Sequence, residues 1–115
     1  MKEHEKRLAP LMVAPSMSLL QVVKRMDEMR CKLLLVIEDG RFIGLVSIGD
    51  IQRAIIRNVP LNESVGAVLR SDIVVCKAND PESKIRSEML RCRAAFMPLL
   101  SDDGTLSGVV FWEDL

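Results

Sequence analysis

A hydroxyl and a carboxylate three residues apart, Ser47 and Asp50, stand where the apolar run Gly44-Leu45-Val46 passes into the helical pattern Ile51-Gln52-Arg53-Ala54. Two chemistries fit that spacing. Ser-x-x-Asp at a helix start is a capping-box pattern, in which the hydroxyl takes a backbone N–H and the carboxylate reaches back to the cap. The same carboxylate can accept hydrogen bonds from both hydroxyls of a sugar diol, while the helix start offers free N–H donors and a positive dipole end to a phosphate. Arg53, one turn into the helix, adds charge for such a phosphate.

The pattern returns near the end of the chain. Gly108-Val109-Val110-Phe111-Trp112-Glu113-Asp114-Leu115 keeps the glycine and the aspartate at the same spacing but has Phe111 where Ser47 stood, followed by Trp112. Two large aromatics bury apolar area and bring no partner for a sugar hydroxyl. The expectation is that they fill the second site or pack on an oligomer partner; the alternative is Trp112 stacking on a ligand base.

Other chemistry is sparse. His4 is the only histidine and lies in the charged lead-in Met1 to Arg7, where solvation is the expected state. No Ser-His-Asp, metal-ligand or phosphate-loop pattern is present, so neither catalysis by this segment nor a metal or resident cofactor is expected. Cys31, Cys76 and Cys92 are odd in number and lack a Cys-x-x-Cys pair, which fits small buried residues in a reducing compartment rather than a disulfide framework. Arg86, Arg91 and Arg93 could form a basic rim, although a solvated helix face is the commoner outcome. The seven methionines read as core and interface filler.

Composition narrows the partners. The 115 residues are 49% hydrophobic and 28% charged, enough for one domain or two small units sharing a core. Sixteen basic residues balance sixteen acidic ones, and three Phe with one Trp and no Tyr give no stacking platform, so nucleic acid is not an expected partner. No apolar run reaches the roughly 18 residues of a membrane span. The expected setting is the cytoplasm, with no membrane association.

The elements that must position Ser47 and Asp50 follow from patterning. Leu11 to Ala14 is a short apolar run closed by Pro15, Ser18 and Gln21 form a capping box, and Leu19, Val22, Val23 and Met26 predict an amphipathic helix over 19–30. Lys32 to Ile37 and Phe42 to Val46 predict two strands around an Asp39-Gly40 turn. Asp50 is expected to open a second helix that Asn58-Val59-Pro60 stops. Leu61, Val65, Val68 and Leu69 share a helical face and predict a connector helix. Then comes a strand at Ile73 to Cys76, a helix capped by Asp80 with Ile85, Met89 and Leu90 on its apolar stripe, and strands at 95–100 and 106–111 around a turn.

Gly40 and Gly104, Gly44 and Gly108, and Asp50 and Asp114 are each 64 residues apart. Such regularity is an internal repeat of units too small to bury their apolar faces alone. The expected fold is α+β, with two β-α-β-β-α repeats packed sheet to sheet in pseudo-two-fold symmetry. The expected organisation is a lead-in over 1–8, a first repeat over 9–59, and a connector with a second repeat over 60–115. The second repeat stops before its closing helix, so the chain reads as a piece of a longer polypeptide.

On these residues the chain resembles a tandem pair of cystathionine-β-synthase-type (CBS) domains, a Bateman module. The resemblance rests on Met26, Glu38-Asp39-Gly40 and Gly44 through Asp50 in the first repeat. In the second it rests on Met89, Pro98 through Gly104, Gly108 and Asp114. A narrower likeness, in Gly49 through Ile56 with Val59 through Val65, is to the N-terminal module of bacterial sugar-phosphate nucleotidyltransferases, and less closely to the C-terminal module of arabinose-5-phosphate isomerases.

The resemblance implies a regulatory module that binds AMP, ADP, ATP or a related metabolite, forms a homodimer through helical faces, and modulates an attached C-terminal catalytic domain. It implies Ser47, Asp50 and Arg53 at the ribose and phosphate, and Val13, Ala14, Leu33 and Leu34 around the base. Pro98, Trp112 and Asp114 would line the second cleft. A ligand-free structural or dimerisation module, its clefts filled by side chains, is the alternative.

Overall fold

A computed structural model describes residues 7–69 and 73–115. The chain is a mixed α+β fold of two β-α-β-β-like repeats with two three-stranded sheets, in the orders β1-β2-β3 and β4-β5-β6. The described residues divide into two compact units, 7–39 with 43–69 and 40–42 with 73–115.

In the first unit a 3-10 turn at Ala9–Leu11 leads into β1 (Met12–Val13), which runs parallel to β2 (Leu33–Glu38) with Met12 opposite Leu35 and Val13 opposite Val36. Between them lies α1 (Leu19–Met29), with its expected capping box complete: the Gln21 N–H donates to Ser18 Oγ at 3.2 Å, and the Ser18 N–H to Gln21 Oε1 at 3.1 Å. Leu19, Val22 and Met26 are buried, as their spacing requires. From the same helix, Arg25 donates to the carbonyls of Pro10 and Met12, which ties the helix to the lead into β1. Asp39 and Gly40 both have positive φ, 52° and 78°, and so make the tight turn into β3 (Arg41–Ser47). The core joins Leu34, Leu35 and Val36 of β2 to Val46, Ile51, Ala54 and Val65.

In the second unit β4 (Cys76–Lys77) runs parallel to β5 (Phe96–Leu100), and β5 pairs antiparallel with β6 (Leu106–Phe111). The helix between β4 and β5 covers Glu82–Cys92. Cys76, Ile85, Met89 and Met97 form its core, with Val74, Leu99, Val110 and Leu115 packed around them.

Five local expectations need correction. The helix after β3 covers Ile48–Ile56 and is capped by Ser47, so Asp50 sits inside its first turn instead of opening it. This helix is α2, and the one over Glu82–Cys92 is α3. The Leu61–Leu69 connector is not an α-helix: only Val65–Val68 winds, as a 3-10 turn. Its backbone is engaged elsewhere, because the Leu61 and Glu63 carbonyls accept from the Leu20 and Leu19 N–H groups, and the Val65 and Gly66 N–H groups donate to the Met17 and Pro15 carbonyls. Those bonds replace the i to i−4 ladder a helix would need.

The Ile73–Cys76 strand shrinks to Cys76–Lys77, since only these residues find partners on β5 and β-propensity without a ladder does not make a strand. Asp80 does not cap α3; Pro81 occupies the cap position, and Asp80 Oδ2 instead accepts the Lys77 N–H at 2.8 Å. On α3, Ile85 and Met89 face the core, but Leu90 is 59% exposed because it lies about 100° around the helix from Met89.

One symmetry was not visible in the residue types. Both α1 and α3 end on an arginine in the left-handed conformation, Arg30 at φ 52° and Arg93 at φ 55°, positions that usually call for glycine.

Candidate functional site

The start of α2 is built by the strand before it. β3 carries Ser47 in extended geometry, φ −105° and ψ 163°, so that its Oγ turns into the first helical turn and accepts the Asp50 N–H at 3.1 Å. Asp50 returns the contact: its Oδ2 accepts from the Ser47 N–H at 2.8 Å and from the Ser47 hydroxyl at 3.0 Å. The other oxygen, Oδ1, accepts from the Arg53 guanidinium at 2.7 Å. The Asp50 side chain is only 2% exposed, whereas Arg53 is half exposed. Gly49 lies under the guanidinium, and a Cβ there would sit 3.4 Å from an Arg53 terminal nitrogen. The buried carboxylate is thus met by hydrogen bonds from Ser47 and by a guanidinium on its solvent side.

Asp50 and Arg53 lie in the wall of a pocket of about 200 Å³, which they share with Ala54, Arg57, Val59, Ala67 and Val68. The 3-10 turn supplies the last two, and Gly66 beside them packs against Pro15, where a Cβ would come within 3.0 Å of the Pro15 ring and 3.1 Å of its carbonyl. Close approach of backbone to backbone therefore depends on the missing side chain at position 66. The pocket has an acceptor at one end, a guanidinium beside it and a second guanidinium one turn farther along α2. Such an arrangement can hold a ligand that carries both hydroxyls and negative charge.

Of the sequence-derived site residues, the pocket unites Asp50 and Arg53, with Ser47 behind the carboxylate. The four apolar candidates are not among its lining residues. Val13 and Leu34 are buried in the first core, whereas Leu33 is half-buried and Ala14 exposed. The β1–β2 register carries Ala14 to a position opposite Ile37, four residues from Leu33 or about 13 Å along the strand. Ala14 nonetheless precedes Pro15, whose carbonyl receives the Gly66 N–H at 2.9 Å, next to pocket residue Ala67. Leu33 follows Lys32, whose carbonyl receives the Ile48 N–H at 3.0 Å at the head of α2. Sequence reasoning missed Ala54, Arg57, Val59, Ala67 and Val68 as lining residues; the signal for Arg57 was its spacing of four from Arg53, which places the two on one helical face.

In the second unit, Phe111 packs edge-to-face on Phe96, with ring centroids 6.1 Å apart at 62°. Trp112 is 40% exposed and borders a pocket of about 330 Å³ with Met89, Leu90, Arg93, Ala94 and Ala95. Pro98 is buried in β5 opposite Val109, and Asp114 is exposed on the 3-10 turn Trp112–Asp114, so neither lines that pocket. Arg91 and Arg86 pair with Glu88 and Glu82 of their own helix, at 2.5 and 3.4 Å. His4 lies outside the described residues.

Hydrogen bonding also sets local acidity. Asp80 is held below the usual carboxylate range by the Lys77 backbone N–H and then by Lys84, and Asp103 by the Thr105 hydroxyl and backbone N–H. Burial pushes the Cys76 thiol up.

Comparison with known proteins now bears on this geometry. Residues 6–57, which contain the whole of β1 to α2, match the family model described as CBS domain. The first repeat is a CBS domain. No curated protein matches the chain. Among solved structures, a CBS domain protein from Pyrobaculum aerophilum complexed with AMP superposes with a TM-score of 0.72 at 21% identity, covering 92% of this chain and 82% of its own. Hypoxic Response Protein I with two coordinated zinc ions gives 0.75 at 22% identity, covering 89% and 85%. A CBS domain pair in complex with 5′-methylthioadenosine and S-adenosyl-L-methionine gives 0.69 at 16% identity, covering 99% and 92%. The fold of CBS-pair structures therefore extends past the matched CBS domain into the second repeat, although the family model itself covers the first repeat alone. Within the CBS domain, Ser47 and Asp50 fall at the β3–α2 junction and Arg57 is its last matched residue.

Proposed function

We propose that this chain is a regulatory module that takes an adenosine-type nucleotide (AMP, ADP or ATP) at the α2 pocket of its first repeat. One observation carries the reading: a buried carboxylate, Asp50, and two guanidinium groups, Arg53 and Arg57, share the wall of one pocket. The AMP-bound and S-adenosylmethionine-bound states of similarly folded proteins support it. In this reading Asp50 accepts from the ribose hydroxyls and Arg53 swings from Asp50 to the phosphate, with the base outside the pocket. Regulation follows if the ligand binds one conformational state of the module more tightly than another, since only a difference in affinity shifts an equilibrium.

The proposal extends to the setting of the module. Exposed Leu20 on α1 and Ile55 and Ile56 on α2 give the first repeat apolar helical surface that supports homodimer formation. The likeness of Gly49 through Val65 to nucleotidyltransferase modules supports an attached sugar-phosphate nucleotidyltransferase in the cytoplasm. Repeats over 9–59 and 60–115 are part of the same reading, with residues 61–69 packed on the first. No helix among the described residues is long and apolar enough to cross a membrane.

A second reading, a ligand-free structural or dimerisation module, is favoured by the complete capping box, which already occupies the Asp50 carboxylate, and by the Phe96–Phe111 contact. Thermal-shift measurements with adenosine, AMP, ADP and ATP separate the two. The nucleotide reading expects a rise in melting temperature that Asp50→Ala abolishes. A ligand-induced rise of equal size in Asp50→Ala would remove Asp50 from the site, and no response at millimolar nucleotide would leave the structural reading standing.

A further inference from the structure

The charges in the α2 pocket do not cancel. Asp50 and Arg53 neutralise each other at 2.7 Å. Arg57 stands one turn farther along the helix and lines the same pocket, and among the described residues no carboxylate lies within ion-pairing distance of its guanidinium. The facing wall, Val59, Ala67 and Val68, is apolar and brings no acid. One positive charge is therefore left over, at the end of the pocket away from Asp50.

Position adds to charge. Arg57 is seven residues beyond Asp50, about 10 Å along the helix axis, whereas Arg53 is less than a turn away. A ligand whose diol sits on Asp50 brings its first phosphate into the reach of Arg53. Only a longer phosphate chain extends to Arg57. The pocket volume, about 200 Å³, is below the roughly 300 Å³ of a site that encloses a whole small ligand, so it suits a sugar and its phosphates with the base outside.

We infer that Arg57 reads the phosphates beyond the first, which makes this a site selective for nucleoside di- and triphosphates over monophosphates. A guanidinium fits the task because it stays charged and offers several donors to phosphate oxygens in a fixed plane. The inference rests on the reading that the pocket takes a nucleotide. Its competitor is a plain one: Arg57 ends α2, where a cation offsets the negative end of the helix dipole whatever the ligand.

The test is isothermal titration of the intact chain with adenosine, AMP, ADP, ATP and inorganic tripolyphosphate at fixed ionic strength. It compares the natural sequence, Arg57→Ala, Arg57→Lys and, as a charge control in the other repeat, Arg91→Ala. The expected result is ADP and ATP binding roughly tenfold tighter than AMP, about one charge-assisted hydrogen bond in free energy. Arg57→Ala should remove that preference, Arg57→Lys should keep part of it, and Arg91→Ala should match the natural sequence.

Equal affinity for AMP and ADP in the natural sequence, or a preference that survives Arg57→Ala, overturns the inference and leaves the nucleotide reading in place. A uniform loss for every ligand in Arg57→Ala also overturns it, pointing to helix stability. Tripolyphosphate binding that depends on Arg57, with no binding of any nucleoside compound, keeps Arg57 as a polyphosphate anchor and overturns the nucleotide reading. Absence of binding by every compound overturns both.

Discussion

Replacing Asp50 by alanine should cost more than replacing any other residue of its cluster, and the size of the cost follows from the hydrogen bonds. The carboxylate accepts from the Ser47 N–H, the Ser47 hydroxyl and Arg53, and its side chain is 2% exposed. A hydrogen bond to a charged group contributes about 1.5–3 kcal/mol, and the stranded Ser47 N–H adds to the loss. The Arg53 pair adds less than about 1 kcal/mol, because the guanidinium is half exposed and water screens it. The sum expected for Asp50→Ala is about 2–4 kcal/mol. Ser47→Ala removes the acceptor for the Asp50 N–H and should cost about 1 kcal/mol, the usual value of a helix N-cap. Arg53→Ala should cost less than either.

For a chain of this length 1 kcal/mol moves the melting temperature by about 4 °C, so Asp50→Ala should melt about 8–16 °C lower. Urea unfolding of the three variants without ligand gives the ranking directly. If Asp50→Ala and Arg53→Ala lie within about 0.5 kcal/mol of each other, the buried capping arrangement does not form in solution and the stability argument fails. Asp50→Asn, which keeps one carbonyl acceptor, should fall between wild type and Asp50→Ala. Because the carboxylate supports the helix, nucleotide binding to Asp50 variants has to be measured well below their lowered melting temperatures.

Other outcomes follow from the same geometry. Gly66→Ala should destabilise by about 1–3 kcal/mol in chemical denaturation, since its Cβ would meet Pro15 at 3.0 Å, whereas Gly108→Ala, which meets nothing within 4 Å, should be near neutral. Arg93→Gly should raise stability by about 0.5–1 kcal/mol by relieving the left-handed cap of α3, and a loss instead would show that the arginine side chain outweighs the backbone strain. Asp80 and Asp103 have folded pKa values below their unfolded ones, so their contribution is full above the unfolded value near 3.8 and fades as the pH falls through the lower folded values. The melting-temperature gap between wild type and Asp80→Asn should therefore be constant from pH 5 to 7 and close below about pH 4; a gap that widens in acid contradicts the assignment. In maleimide labelling at neutral pH, exposed Cys92 should react well before Cys76, whose thiol is buried and raised in pKa and should react only on unfolding.

Much of this architecture was legible in residue order because local chemistry decides it. Ser18 and Gln21 cap α1 with side chains three residues apart, and Asp39-Gly40 makes the turn because both positions need positive φ. The 64-residue spacing of Gly40, Gly44 and Asp50 from their counterparts gave the repeat, and Ser47 with Asp50 gave the head of α2. The connector, β4 and the Asp80 cap were misread because their backbone groups have partners far along the chain. The Leu61–Gly66 stretch bonds to residues 15–20, β4 extends only as far as β5 pairs with it, and Asp80 turns back to Lys77.

The same division runs through the site. Residue types alone settled that a hydroxyl, a carboxylate and an arginine meet at one helix start, because the cap residue and the first two turns of the helix carry them all. Tertiary structure alone decided that Asp50 is buried and that Leu34 and Val13 belong to the core. It also decided that Arg57 shares a pocket with Ala67 and Val68. Burial and pocket membership depend on which distant segments pack together, and no local spacing records that.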